Sequence, residues 1–111
     1  MSNARNRAAA EVFFALSDGT RLSLVTKLGA AGALSATTLA EGRKVTRQAI
    51  VKHLQVLEGA GLVVTRRSGR EKLHFLNPVP IRLIHDRWID KYTERRVSAL
   101  ADLKTKLEET G

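Results

Sequence analysis

Four side chains that can hydrogen-bond or pack against base edges fall on one face of the segment VTRQAIVKHLQVLEGAGLV, residues 45–63. Helical spacing of about 100° per residue places them together: Gln48, Val51, Lys52 and Gln55. Glutamine pairs with adenine, lysine with guanine, and valine packs on the thymine methyl group. The pattern favours a helix that enters a major groove, although any surface helix also has a polar outer face.

A second basic group follows directly in the chain. The runs LVVTRR and KLHFL have strand-forming composition, and the intervening SGRE is typical of a tight turn, so we expect a hairpin. Its tip and flanks carry Arg66, Arg67, Arg70 and Lys72. Such cations suit phosphate contacts, but charges also protect a sheet edge from aggregation, and the sequence leaves both roles open.

The charge distribution points to a polyanionic partner. The 111 residues carry a net charge of +8 with a pI near 10.6. Residues 43–72 hold eight basic and two acidic residues, which is most of that excess. Nucleic acid and an acidic membrane surface are both compatible with charge alone.

Other chemistries find little support. The chain has no cysteine, and metal sites need several converging ligands. His53 and His74 are predicted to pack or hydrogen-bond and not to bind a metal. A weak metal site that joins two subunits through His85, Asp90 or Glu94 is the one arrangement that the sequence leaves open. Carboxylates occur singly, no serine or threonine has a plausible base nearby, and no phosphate-binding glycine loop appears. We predict no enzyme activity, metal or cofactor.

The chain length indicates one domain over residues 1–111. No signal peptide or membrane span is recognisable, which favours a soluble cytoplasmic protein.

Apolar spacing and capping residues predict the helices that position the polar face. We expect a first helix over residues 4–17 and a second that begins after Asp18 and ends at Gly29 and Gly32. The second should turn one face inward through Leu22, Val25 and Leu28. Ser35 should cap a third helix over residues 36–42 with Leu39 inward, and Thr46 should cap the fourth, whose inward residues are Ile50, His53, Leu54 and Leu57.

A long helical pattern occupies residues 78–109. Its apolar residues form a stripe: Ile81, Ile84, Trp88, Tyr92, Leu100, Leu103 and Leu107. A stripe of this length must be covered, either by a second subunit or by folding back on the same chain. We favour a second subunit, with residues 1–17 and 78–109 contributing to dimerisation.

The order of elements predicts a mainly α fold with a small β-hairpin, a winged helix-turn-helix. Its second crossing helix enters a major groove, and its hairpin reaches an adjacent phosphate or minor groove. On this basis we expect base reading by Arg47, Gln48, Val51 and Lys52. Backbone or wing contacts are expected from Thr46, Gln55, Arg67, Arg70 and Lys72.

Three segments carry a family resemblance: FFALSDGTRLSLVTKL, VTRQAIVKHLQVLEGAGLV and RRSGREKLHFL. Together they resemble the ArsR family of bacterial winged helix-turn-helix repressors over about residues 12–76. Gly19 replaces a usual proline, and Val51 replaces a common serine of the recognition helix. The Trp88–Tyr92 pair is similar to a subgroup without metal-binding cysteines.

The resemblance implies a homodimeric repressor that binds double-stranded DNA and whose first and last helices form the dimer interface. The expected interface residues are Val12, Phe13, Ile84, Trp88, Tyr92, Leu100, Leu103 and Leu107. An inducer, either a small molecule or a protein, is left undefined. A winged-helix module that docks on an acidic protein is the alternative, and structured RNA is disfavoured because A-form RNA has a narrow major groove.

Overall fold

The computed structural model describes the backbone of residues 2–88 and 91–110, and the side chains of residues 4–87 and 95–109. Over this range the chain forms two compact units, Met1–Ile81 and Arg82–Gly111.

Helices predominate, and the predicted elements occur in the predicted order, with one additional strand and two helices in place of the predicted C-terminal one. The elements are α1 (Ser2–Leu16), α2 (Gly19–Ala31), β1 (Leu34–Ser35), α3 (Ala36–Ala40), α4 (Arg47–Gly59), β2 (Val63–Ser68), β3 (Glu71–Leu76), α5 (Val79–Trp88) and α6 (Lys91–Thr110).

The three predicted N-caps are confirmed. The side-chain oxygens of Asp18, Ser35 and Thr46 each accept a hydrogen bond from the backbone N–H three residues further on, at 3.0, 3.2 and 3.1 Å. Each bond satisfies an N–H that the first helical turn leaves without a partner. The backbone N–H of Arg21 also holds the pKa of Asp18 below its ordinary value, because that bond favours the carboxylate.

Two predictions for α2 are wrong. Val25 and Leu28 are buried as predicted, but Leu22 is 51% exposed, and the third large apolar residue of the inward face is the fully buried Leu24. Gly29 lies inside the helix, where a Cβ atom would come within 3.3 Å of Leu76 Cδ2. The close approach of β3 therefore explains this glycine, and the helix ends at Gly32 with φ 83°.

The sheet has one strand more than the predicted hairpin. Three antiparallel strands lie in the order β1-β3-β2, with Leu34 opposite His74 and Thr65 opposite His74 on the other side. The helix α3 ends at Ala40 rather than residue 42.

The core of the first unit lies between the helices and the sheet. Its most deeply buried large side chains come from every layer: Leu24, Leu28, Leu39, Ile50, Leu57, Leu62 and Val63. Leu54 is also buried, as predicted, while His53 is half-buried.

The predicted C-terminal helix is described as α5 and α6. Ile84 of α5 is half-buried. The large apolar side chains described on α6 are exposed: Val97, Leu100, Leu103 and Leu107. The side chains of Trp88 and Tyr92, and residues Asp90 and Glu94 of the open metal arrangement, lie outside the described side chains.

One expected interface residue of α1 needs correction. Val12 is 3% exposed and belongs to the core of its own chain, so it has almost no surface to offer a partner. Phe13 and Phe14 are 55% and 63% exposed. These aromatic side chains are the apolar surface of α1 that remains available.

His74 is a buried histidine in the middle of the sheet. It is 5% exposed, and its Nδ1–H donates to the carbonyl oxygen of Leu34 at 3.2 Å, which confirms the hydrogen-bonding role. Burial lowers the pKa of His74 below 6.5, against the opposing effect of this bond. The folded protein therefore favours the neutral imidazole.

This lowered pKa predicts a loss of stability in mild acid. The unfolded chain binds a proton more readily, so the full stability is present above about pH 6.5 and is lost as the pH falls towards the folded-state pKa. His74→Asn keeps an N–H donor but cannot titrate. Its urea midpoint should therefore fall less than that of the parent protein between about pH 7 and about pH 5.5, a range that spans the ordinary pKa of histidine. Equal pH profiles for the parent protein and His74→Asn would contradict the assignment.

Candidate nucleic-acid interface

The crossing pair α3 and α4 is fixed by the turn between them. Arg43 in this turn donates from Nε to the Leu39 carbonyl at 2.7 Å and from Nη1 to Ser23 Oγ at 2.8 Å. These bonds tie the turn to α2 and to the end of α3. Arg43 therefore serves the fold, although it belongs to the basic cluster of the sequence.

The outer face of α4 separates into two rows of side chains. Gln48 and Lys52 are exposed one helical turn apart, and Lys52 forms no ion pair with a described carboxylate. Val51 is half-buried and, with Gln55, lines a cleft of about 350 Å³ on the side of the hairpin. The predicted polar face is thus an exposed row bordered by a cleft wall.

The cleft lies between α3, α4 and the hairpin. Its charged lining residues are Arg47, Glu58, Arg70, Glu71 and Lys72, and His74 also reaches it. Ser35, Ala36 and Thr37 contribute the wall from the start of α3.

The side chain of Arg47 is held against α3. Its Nε donates to Thr37 Oγ1 at 3.1 Å, across the helix-turn-helix pair. Sequence reasoning did not find Thr37, because its partner lies ten positions away and no local pattern connects the two residues.

The hairpin formed by β2 and β3, the wing, presents its cations in register. Arg67 lies opposite Lys72, and Gly69 adopts φ 62° at the tip, a left-handed conformation that glycine tolerates. Arg66, Arg67, Arg70 and Lys72 are all exposed. Like charges opposite each other cost stability in a free hairpin, and a polyanion beside them would offset that cost.

The inner side of α4 is anchored by an arginine. Arg21 of α2 is 9% exposed; its Nε donates to the Ala15 carbonyl at 2.7 Å and its Nη1 to His53 Nδ1 at 3.3 Å. A guanidinium can only donate, so His53 accepts through Nδ1, while Asp18 lies 4.0 Å from the same nitrogen. The end of α1, the start of α2 and the recognition helix are therefore joined through one side chain.

Among the described residues no group of three or more histidine, cysteine, aspartate or glutamate side chains could hold a metal. No helix within the described ranges is long and apolar enough to cross a membrane.

A helix pair with an exposed polar recognition face, flanked by a basic wing, defines a DNA-binding transcriptional regulator of the winged helix-turn-helix class. A helix-turn-helix domain model matches residues 16–66.

The HTH-type transcriptional regulator YuzN of Bacillus subtilis is 35% identical over 85 residues, which cover 71% of this chain and 92% of that protein. The HTH-type transcriptional regulator Rv2034 of Mycobacterium tuberculosis is also 35% identical, over 80% of this chain and 81% of its own. An ArsR-like transcriptional regulator from Rhodococcus sp. RHA1 has a similar structure, with a TM-score of 0.69 and 36% identity over 88% of this chain and 93% of that chain. The chain therefore belongs to the ArsR family of these regulators.

Proposed function

We propose that this protein is a transcriptional repressor that binds a two-fold symmetric operator as a homodimer and blocks transcription. The observation that carries the proposal is the exposed pair Gln48 and Lys52 on α4, next to a wing whose Arg67, Arg70 and Lys72 are free of described ion pairs. Gln48 and Lys52 read base edges, with the half-exposed Val51 packing on a thymine methyl group. Thr46, Gln55 and the wing cations hold the sugar-phosphate backbone.

Dimerisation is supported by apolar surface that the chain itself leaves uncovered. Phe13 of α1 is exposed, and so are Leu100, Leu103 and Leu107 on one side of α6. A helix of 20 residues with such a stripe is stable when another helix covers it. Two chains related by a two-fold axis would present two recognition helices to two half-sites one helical turn apart.

A charge placed on the α6 stripe should separate the subunits. In Leu100→Glu/Leu103→Glu, each dimer loses four leucine side chains from the interface, each worth about 1.5–3 kcal/mol, so the dimer dissociation constant should rise by at least roughly 10,000-fold. Sedimentation velocity over a concentration series measures this. Ser98→Glu on the opposite side of the helix is the matched control and should stay dimeric; a dimeric double variant would refute the interface.

The repressor proposal is tested by selecting DNA from the organism that encodes this chain. Purified protein is incubated with sheared genomic DNA at near-physiological salt, and the retained fragments are sequenced. Enrichment of a few imperfect inverted repeats near promoters, followed by lower transcription from those promoters when protein is added, supports a repressor. Higher transcription would instead make it an activator.

A docking module for an acidic protein is the competing function. Its binding would not depend on DNA sequence, and the genomic selection would then return fragments at random. The release of operator DNA by a small molecule or a protein inducer can be followed with the same fragments once they are known.

A further inference from the structure

Arg47 differs from the other polar residues of α4 in where its side chain is held. Gln48 and Lys52 extend from the exposed row, whereas Arg47 Nε donates to Thr37 Oγ1 on α3. The bond turns the guanidinium from the exposed row towards the start of α3.

The element that holds Arg47 has a defined place in this class of protein. In a helix-turn-helix the first helix crosses the DNA backbone, while the second lies in the groove with its side chains on the base edges. Here α3 is the first helix, and Thr37 is its second residue. A guanidinium held over α3 therefore faces the sugar-phosphate backbone.

The donors that remain on Arg47 suit a phosphate. A guanidinium has five N–H groups, and the bond to Thr37 uses the one on Nε. The terminal nitrogens keep a fork that matches two phosphate oxygens. Arg70 and Lys72 line the same cleft, so a backbone strand that enters it meets three cations.

Two carboxylates limit what the cleft can bind. Glu58 and Glu71 also line it, and no described side chain forms an ion pair with either. A free anion would meet both signs of charge, whereas duplex DNA is held in place by the recognition helix and the wing. The cleft therefore suits a phosphate of duplex DNA better than a free anion.

We propose that Arg47 is a DNA-phosphate contact and that Thr37 is the residue that positions it, which replaces the base-reading role expected for Arg47. The inference rests on the proposed function, because it assigns a part of the same DNA interface. It leaves base selection to Gln48 and Lys52.

The test compares operator and unrelated duplexes of equal length over a salt series. Arg47→Ala should weaken both by the same factor, about 3- to 10-fold near 0.15 M salt, and reduce the slope of log K against log salt by about 1 per chain. The ranking of single-base operator variants should not change. Gln48→Ala is the contrast: it should alter that ranking at particular base pairs.

A double-mutant cycle tests the positioning role. Thr37→Val removes the hydroxyl at nearly constant size and should weaken all duplexes in the same direction by a smaller factor. In Arg47→Ala/Thr37→Val the second change should add nothing, because Thr37 acts through Arg47. Both residues are exposed, so unchanged thermal unfolding shows that the fold is intact.

Each outcome has a distinct meaning. A changed base ranking in Arg47→Ala makes Arg47 a base reader and overturns the inference, and an additive effect of Thr37→Val overturns the positioning role. If the parent protein binds no duplex in preference to another, the proposed function itself fails. Uniform loss with a non-additive cycle supports the inference.

Discussion

Replacement of Arg67, Arg70 and Lys72 by alanine together is expected to weaken binding to every DNA duplex by roughly 100-fold or more near 0.15 M salt. The three cations are exposed on the wing, and Arg67 lies directly opposite Lys72 on one face. Each phosphate that a cation neutralises releases counterions and contributes about 0.9 to the salt dependence. For the two wings of a dimer, the slope should fall by roughly five.

The measurement is a fluorescence titration of operator and random duplex at four salt concentrations. Lys27→Ala/Lys104→Ala/Lys106→Ala removes the same charge from α2 and α6, outside the recognition helix and the wing, and controls for net charge. Its salt slope should stay within about one of the parent value. A wing variant that keeps the parent slope would show that the wing does not contact phosphate and that its charges protect the sheet edge.

The second large effect concerns stability. Arg21→Ala should lower the free energy of unfolding by about 3 kcal/mol, because hydrogen bonds from a charged donor contribute about 1.5–3 kcal/mol each and are not additive. The variant removes the donor to the Ala15 carbonyl and to His53 Nδ1, together with the stacking of the guanidinium at 5.4 Å from the Phe14 ring centre. Total stability for a domain of this size is about 5–15 kcal/mol, so the loss is a large share.

Urea unfolding followed by circular dichroism measures this loss. Arg82→Ala is the matched control, since Arg82 forms a pair with Asp86 at 2.9 Å that is exposed to solvent and therefore contributes little to stability. If Arg21→Ala were no more destabilising than the control, the junction of α1, α2 and α4 would not depend on Arg21.

The local parts of the fold could be predicted from the sequence. Asp18, Ser35 and Thr46 cap the helices as expected, because a cap involves atoms only three residues apart. The inward residues of α4 could be predicted because Thr46 marks where the helix begins and the helical repeat then places every third or fourth residue on the same face. Gly69 at the wing tip follows from the left-handed conformation that a two-residue hairpin turn requires.

The parts that could not be predicted depend on contacts between distant segments. The strand β1 has two residues and exists through its pairing with β3, and Gly29 is small because Leu76 lies against it. In the sequence Arg21 is indistinguishable from a surface charge, because its burial depends on the packing of α1 and α4 around it. The same holds for the candidate site. The sequence identifies its basic residues, but the hydrogen bond between Thr37 and Arg47 is known only from the structure.

The central claim is that two copies of this chain recognise one two-fold symmetric DNA sequence through α4. The most direct measurement is the affinity and stoichiometry on an inverted repeat obtained from the genomic selection, compared with a single half-site and a scrambled duplex at the same salt. We predict two chains per repeat, bound at least about 1,000-fold more tightly than the scrambled duplex, with the half-site in between. Equal affinity for the three duplexes, or one chain per repeat, would contradict the account.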